Sequence, residues 1–493
     1  INRNPVYTRD FIDNYEMNHR ENPNKYPLAD WNSYLIKDSA PIMKHNVAMR
    51  YGNNVVKSMA TMGYESTDGL YNNRTHKAFT ARVNNDLKLN QYLSATVDGS
   101  YRRGTSESPV VNPLRAAYLY APLWSPVWED GRISGGRDGT NTYARVNQGG
   151  FNNSWSDYIT GRFALNFSPI KNLTLTGVFA PTVSISKSKN FTKKIPYYDA
   201  NDPTLLAGYI NGHFKTGLTE GRSETRTITK QLLANYNVNF DDKHDLSLMA
   251  GYEDHYNFTE SLEAATDEME LSEYPYLNRG NLDIKSNSGN ASEYAYRSWF
   301  GRINYDFEDR YLFQANARID QSSRFHRNHR TGFFPSFSAG WIISEEPFFK
   351  NFNIKPLSFF KLRGSWGSLG NERIGNYAYQ STIGFGNVLL IDNGQIVSRN
   401  TAAQTAYNIE NITWETTETW NVGVDINFLN DRLSLTGDLY KKKTRDMLLA
   451  LQIPIYMGYS NPQQNAGNMS TKGWDIQVNW SYLIKRDVIG MCI

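Results

Sequence analysis

The chain has 493 residues, with 52 Lys plus Arg against 49 Asp plus Glu, a formal net charge of +3 that offers no extended positive field for nucleic acid. Its single Cys excludes an internal disulfide and a Cys-based zinc site. No stretch approaches the ~18 uncharged apolar residues of a membrane-spanning helix, which leaves a β-barrel open, because alternating strands have the average hydropathy of a soluble protein.

The chain starts at Ile1 without an initiator Met or a basic-then-apolar leader, so it reads as an internal fragment. Residues 8–20 and the run Asp30-Trp31-Asn32-Ser33-Tyr34 read as short helices ahead of the first strand. From there the dominant signal is period two, the mark of strands with two different faces. Leu93, Ala95, Val97, Gly99 and Tyr101 alternate with polar residues. So do Trp299 to Phe307, Phe313 to Ile319, Trp420 to Phe428 and Trp474 to Trp480. Weaker copies lie near 43–52, 54–65, 76–89, 160–168, 172–187, 228–240, 244–256, 333–344, 358–368 and 432–446.

Very short polar turns split these runs into hairpins: around Asn90, at Asp241-Asp242-Lys243, at Glu308-Asp309-Arg310 and at Leu429-Asn430-Asp431-Arg432. Between hairpins the connections are long and rich in Gly, Asn, Ser and Tyr: 104–157, 188–225, 257–293 and 369–413. The pattern predicts about 15 strands of roughly 9–13 residues, the span of a tilted membrane strand. Aromatics at the strand ends suit the two membrane interfaces. The expected fold is all-β, a large antiparallel transmembrane β-barrel, truncated, with short periplasmic turns and long extracellular loops. The expected organisation is a connector at 1–40, a partial barrel at 41–482 and an unrelated tail at 483–493.

The segments from Tyr296 to Phe325, Phe334 to Trp341, Lys361 to Gly367 with Gly370-Asn371, Trp414 to Gly423, Tyr440 to Asp446 and Asn465 to Trp474 carry a resemblance. In this order they resemble the SusC/RagA family of TonB-dependent outer-membrane transporters of Bacteroidetes. The resemblance implies an outer-membrane location and energised import of a large nutrient, an oligosaccharide or oligopeptide. It implies a SusD-like surface lipoprotein as lid and the TonB complex as energy source, contacted through an N-terminal part outside this chain. It also implies contact with outer-membrane lipid, no enzymatic activity and no cofactor. The rival readings are a passive porin or adhesion barrel, and a soluble all-β carbohydrate-binding protein.

No catalytic or metal motif stands out. His326 and His329 flank Arg327, whose charge repels a cation, and the acidic run Asp267-Glu268-Met269-Glu270 lacks a loop glycine and spaced ligands. The substrate-binding candidates are loop aromatics: Trp124, Trp128, Trp155, Tyr197, Tyr198, Tyr274 and Tyr276. Flat rings stack on sugar faces or flank peptide side chains, while the plain alternative is loop-to-loop packing. Arg102, Arg103, Arg302 and Arg318 are expected to face the lumen, or to pair with Asp98, Asp306 and Asp320.

Overall fold

The computed structural model describes residues 7–271, 273–352, 356–404, 407, 409–484 and 487–492. It opens on three short helices, α1 (Arg9–Asp13), α2 (Tyr15–Glu21) and α3 (Trp31–Leu35). The Thr8 hydroxyl and the Asp30 carboxylate cap α1 and α3 by accepting free backbone N–H groups. The strands follow. β1 (Ile42–Gly52), β2 (Val56–Asp68), β3 (Thr75–Lys88), β4 (Leu93–Ser108), β5 (Gly150–Phe167) and β6 (Leu173–Thr192) pair in succession. A small hairpin of β7 (Pro196–Tyr198) and β8 (Leu206–Tyr209) stands aside. The sheet resumes with β9 (Gly217–Phe240), β10 (His244–Asp267), β11 (Lys285–Phe307), β12 (Tyr311–Ser322), β13 (Thr331–Ile342) and β14 (Leu357–Asn371). A second hairpin, β15 (Ile383–Asp392) with β16 (Gln395–Gln404), precedes β17 (Glu415–Phe428) and β18 (Leu433–Arg445). β19 (Leu448–Ala450) pairs with β20 (Gln463–Asn465), and β21 (Met469–Ile484) with β22 (Asp487–Cys492). Of the tail at 483–493, residues 485, 486 and 493 lie outside the described residues.

Sixteen strands form one sheet, each hydrogen-bonded antiparallel to its neighbour in chain order. Connections alternate strictly between two ends. At one end they are 53–55, 89–92, 168–172, 241–243, 308–310, 343–356 and 429–432. At the other they are 69–74, 109–149, 193–216, 268–284, 323–330, 372–414 and 446–468. The tight turns use Asp241, Asp242, Glu308, Asp309 and Asn430 at positive φ, a conformation that short polar side chains tolerate best.

Register assigns the faces. Tyr252, Trp299, Ile319 and Phe333 lie side by side across β10 to β13, as do Leu248, Ile303, Ala315 and Phe337. Trp299, Ile303, Ile319, Phe333 and Phe337 are exposed, and Tyr252 and Leu248 are half-buried among them. On the opposite face Ser247, Asn304, Gln314 and Ser338 form one row. Phe307, Tyr311 and Trp341 rim the apolar face near the turns; Trp299, Trp366 and Trp420 rim it near the loops. From Phe307 to Trp299 the strand runs about 26 Å along its own axis, or about 20 Å of height at the roughly 40° tilt of a membrane strand, which fits within an apolar band about 25 Å tall. Two residues beyond Trp299 the same face turns charged, with Arg297 and Asp254 paired at 3.1 Å.

The strands outrun the predicted length. β9 and β10 have 24 residues each and β11 has 23. The loops expected at 104–157, 188–225 and 257–293 shrink accordingly. Beyond the band both faces meet water, so polarity no longer alternates, as in Ser286-Asn287-Ser288-Gly289-Asn290. The backbone ladder nevertheless continues to the pair Thr266 and Lys285.

At the turn end Glu346 ties the aromatic rim to the chain reversal that carries α6 (Pro347–Phe352). Its carboxylate accepts from the Tyr311 hydroxyl at 2.5 Å, the Trp341 indole at 3.0 Å and Arg310 at 3.2 Å. The band yields a prediction. Ile303→Arg, at mid-height on the apolar face, is expected to cost about 2–4 kcal/mol in reversible unfolding from lipid vesicles, while Gln314→Arg on the polar face costs under about 1 kcal/mol. Equal costs would refute the face assignment.

Candidate functional site

The polar face is concave. A cavity of about 820 Å³ lies against it near the turns, lined by Asn237, Asp245, Asn304, Gln314, Arg363 and Asn421 among others. Several charges on this face are paired. Arg363 pairs with Asp438 at 2.7 Å and Asp425 at 3.1 Å. Arg318 pairs with Asp320 at 2.6 Å and Glu253 at 3.4 Å, donates to the Ser298 hydroxyl at 2.8 Å, and lies over the Phe300 ring. Arg302 donates to Asn316 Oδ1 at 2.8 Å, and Arg162 pairs with Asp98 at 3.4 Å. The buried Oδ1 atoms of Asn304 and Asn421 accept no hydrogen bond among the described residues. Such a wall presents paired charges and neutral hydrogen-bonding groups side by side.

Two loop clusters stand at the other end. In the first, the segment before β1 packs on the loop 109–149. Trp31 and Leu35 of α3 bury against Ala116 of α4 (Leu114–Leu119), and the Trp31 indole donates to the Trp124 carbonyl at 2.9 Å. Ile133, Ala144, Ile195 and Ile210 join this loop to 193–216. Fully buried Asn141 caps α5 (Thr142–Gln148) through Oδ1, while its amide donates to the carbonyls of Pro126 and Ser134. In the second cluster Phe325, Phe334, Ile374, Ile412 and Trp414 pack together. Phe334 lies so close to Gly332 and Gly370 that a Cβ on either would fall within 2.3 Å of its ring, so neither position admits a larger residue.

The family described as TonB dependent receptor-like, beta-barrel matches residues 8–489. The chain belongs to that family. The TonB-dependent receptor P26 of Formosa agariphila is 27% identical over 93% of this chain and 45% of its own length. The TonB-dependent receptor SusC of Bacteroides thetaiotaomicron is 25% identical over 93% of this chain and 46% of its own length. The chain thus spans about half the length of the relatives it matches. A solved structure of the RagAB peptide transporter covers 98% of this chain with a TM-score of 0.80 at 21% identity, a likeness of fold, and 55% of that chain is covered. Barrels of this family sit in the outer membrane, so the apolar face meets lipid and the polar face lines the lumen. The short turns are periplasmic and the long loops extracellular.

In this frame the predicted residues separate. Arg102, Arg302 and Arg318 lie on the lumen face. Arg103 does not: adjacent strand residues point to opposite faces, and it pairs with Asp157 on the outer one. Trp124 wedges between α3 and its own loop, with the Arg137 guanidinium 5.0 Å over its ring. The Trp128 indole donates to the Tyr198 carbonyl at 3.1 Å, and Tyr197 packs on the Ile195 cluster. Trp128 and Tyr197 thus tie the loops 109–149 and 193–216 together, and Trp124 ties the first of them to α3. Trp155 lies beside Lys187 in the outer row of β5, beyond Ile159 and Asp157. Tyr274 and Tyr276 are exposed, and Lys189, also of the outer row, sits 4.4 Å over Tyr276.

The rings of His326 and His329 lie 6.4 Å apart beside Tyr379. In the acidic run Asp267 pairs with Lys215, Glu268 accepts from Asn281, and Met269 is buried against Phe191 and Leu218. Sequence reasoning passed over Arg363, Glu253 and Arg162 as site residues. The signal was present for Arg363, since the alternation Leu362-Arg363-Gly364 places it on the polar row.

His213 locks the first cluster. It is buried, its Nδ1 donates to the Lys193 carbonyl at 2.9 Å, and its Nε2 accepts from Arg145 at 3.3 Å. Burial, then the nearby Arg145 charge, holds its pKa below the ordinary 6.5. The open loop therefore binds the proton more readily than the closed one, so the lock is complete above about pH 6.5 and weakens as pH falls through that value. Amide exchange in 193–216 is expected to accelerate between pH 7.5 and 5.5, after correction for intrinsic rates, and His213→Gln is expected to flatten that dependence. An unchanged profile in wild type would refute the lock.

Proposed function

We propose that the protein bearing this chain imports a large nutrient, an oligosaccharide or oligopeptide, across the outer membrane, powered through TonB. A SusD-like surface lipoprotein closes the mouth. The chain acts as barrel wall and rim, with no chemical reaction of its own. The observation that carries this reading is the family match across 8–489. The polar lumen wall, the tall outer wall and the packed loop clusters support it. The described sheet is read as part of a barrel completed by other segments of the whole protein, with 1–40 as a connector seated on the loop cluster, 41–482 as wall and 483–493 as a tail. Substrate contact is assigned to the lumen wall and the loop rim, with Trp128 and Tyr198 on the rim.

The test is uptake by a strain whose only copy of the protein is under control. Growth on a defined oligosaccharide or oligopeptide as sole carbon source is expected to require both the protein and a functional TonB complex. Growth that persists without TonB would favour a passive porin instead. Trp128→Ala is expected to loosen the loop cluster and lower substrate affinity about tenfold, whereas Trp155→Phe on the outer row leaves uptake unchanged.

A further inference from the structure

The lipid-facing surface has a break in it. On β6, Gly177 lies between Leu165 of β5 and Leu232 of β9, and one strand beyond Leu165 the row holds the small Ala95. A Cβ placed there would meet only a Leu232 methyl, at 3.8 Å, so the surface is open outward. The break leads into a groove of about 740 Å³ whose walls are Phe163, Phe179, Leu232 and Tyr252. Toward the extracellular end the lining changes character: Lys230, Asp254 and Arg297 occupy one row across β9, β10 and β11.

Lys230 is unusual in this row. Its cross-strand neighbours are Phe179 and Asp254, and Ile228 and Leu232 flank it along the same face. Among the described residues it makes no hydrogen bond or ion pair, because Asp254 is engaged by Arg297 through Nε at 3.3 Å and Nη2 at 3.1 Å. An ammonium directed at lipid is costly unless it reaches the interface or meets an anion. Arg297 also meets the Tyr252 hydroxyl, and of its five N–H groups some remain for a further acceptor. The rim thus carries two cations against one carboxylate, directly above an apolar slot.

We propose that this groove binds a phosphorylated lipid of the outer leaflet, with an acyl chain lying over Gly177 and the phosphate held by Lys230 and Arg297. The groove is at band height, where a peptide strand would leave its backbone polar groups without partners and an acyl chain has none to satisfy. Charge complementarity fixes the headgroup as anionic. Free phosphate could meet the rim but would leave the slot unused.

The test is binding to the whole protein, stripped of lipid in neutral detergent, by native mass spectrometry. The probes are diphosphoryl lipid A, the same lipid with its phosphates removed, and inorganic phosphate. Lipid A is expected to bind, and the dephosphorylated lipid about tenfold more weakly. Lys230→Gln and Gly177→Leu are each expected to weaken lipid A binding about five- to tenfold, the first by removing charge and the second by filling the slot. Lys230 is exposed and Gly177 half-buried with open space above it, and retained heat-modifiable migration on a gel confirms that each variant folds. Wild-type affinity in both variants would overturn the proposal. So would inorganic phosphate binding as tightly as lipid A, which would make the rim a site for free anions only.

Discussion

Hydrocarbon offers no partner to a backbone N–H or C=O, and the whole architecture answers that constraint. Every spanning residue must exchange hydrogen bonds with a neighbouring strand. Between β1 and β22 the antiparallel ladder satisfies this with one device repeated, leaving only the outer edges of those two strands unpaired among the described residues, and next-neighbour order keeps each ladder local in sequence. Once the backbone is satisfied, the pleat alone divides the side chains into two faces. Chemistry then follows parity: Ile303 goes to lipid, while Arg302 and Asn304 on either side of it go to the lumen.

The same parity explains what the sequence could show. The sheet class, the hairpin rhythm and the two kinds of connection were readable because half-buried strands print their environment as alternation. Glu308 and Asp309 marked a turn for the same reason that Trp299 and Phe307 marked a strand. Strand ends beyond the band were not readable. There both faces are wet, and Ser288 beside Gly289 and Asn290 looks like loop although its backbone is paired.

The loop aromatics were harder still. An aromatic in a polar segment looks the same in sequence whether it awaits a ligand or packs on another loop. Trp124, with Trp31 donating to its carbonyl, depends on a partner 93 residues away that no local pattern discloses. Tyr197 likewise depends on Ile195 and Ile210 coming together across a tight hairpin. Arg103 fell to a simpler error, since Arg102 and Arg103 cannot share a face of one strand. Arg363, by contrast, needed only a count of parity from Leu362.

The uneven strand lengths have a mechanical consequence. β9, β10 and β11 rise far past the membrane, whereas β12 and β13, with 12 residues each, stop soon after it. The top of the sheet therefore steps down from β11 to β12 and stays low through β14, β17 and β18, where the loops 323–330, 372–414 and 446–468 take over from strand. Anything seated on such an edge rests at a slant, on bare strand at one side and on packed loop at the other.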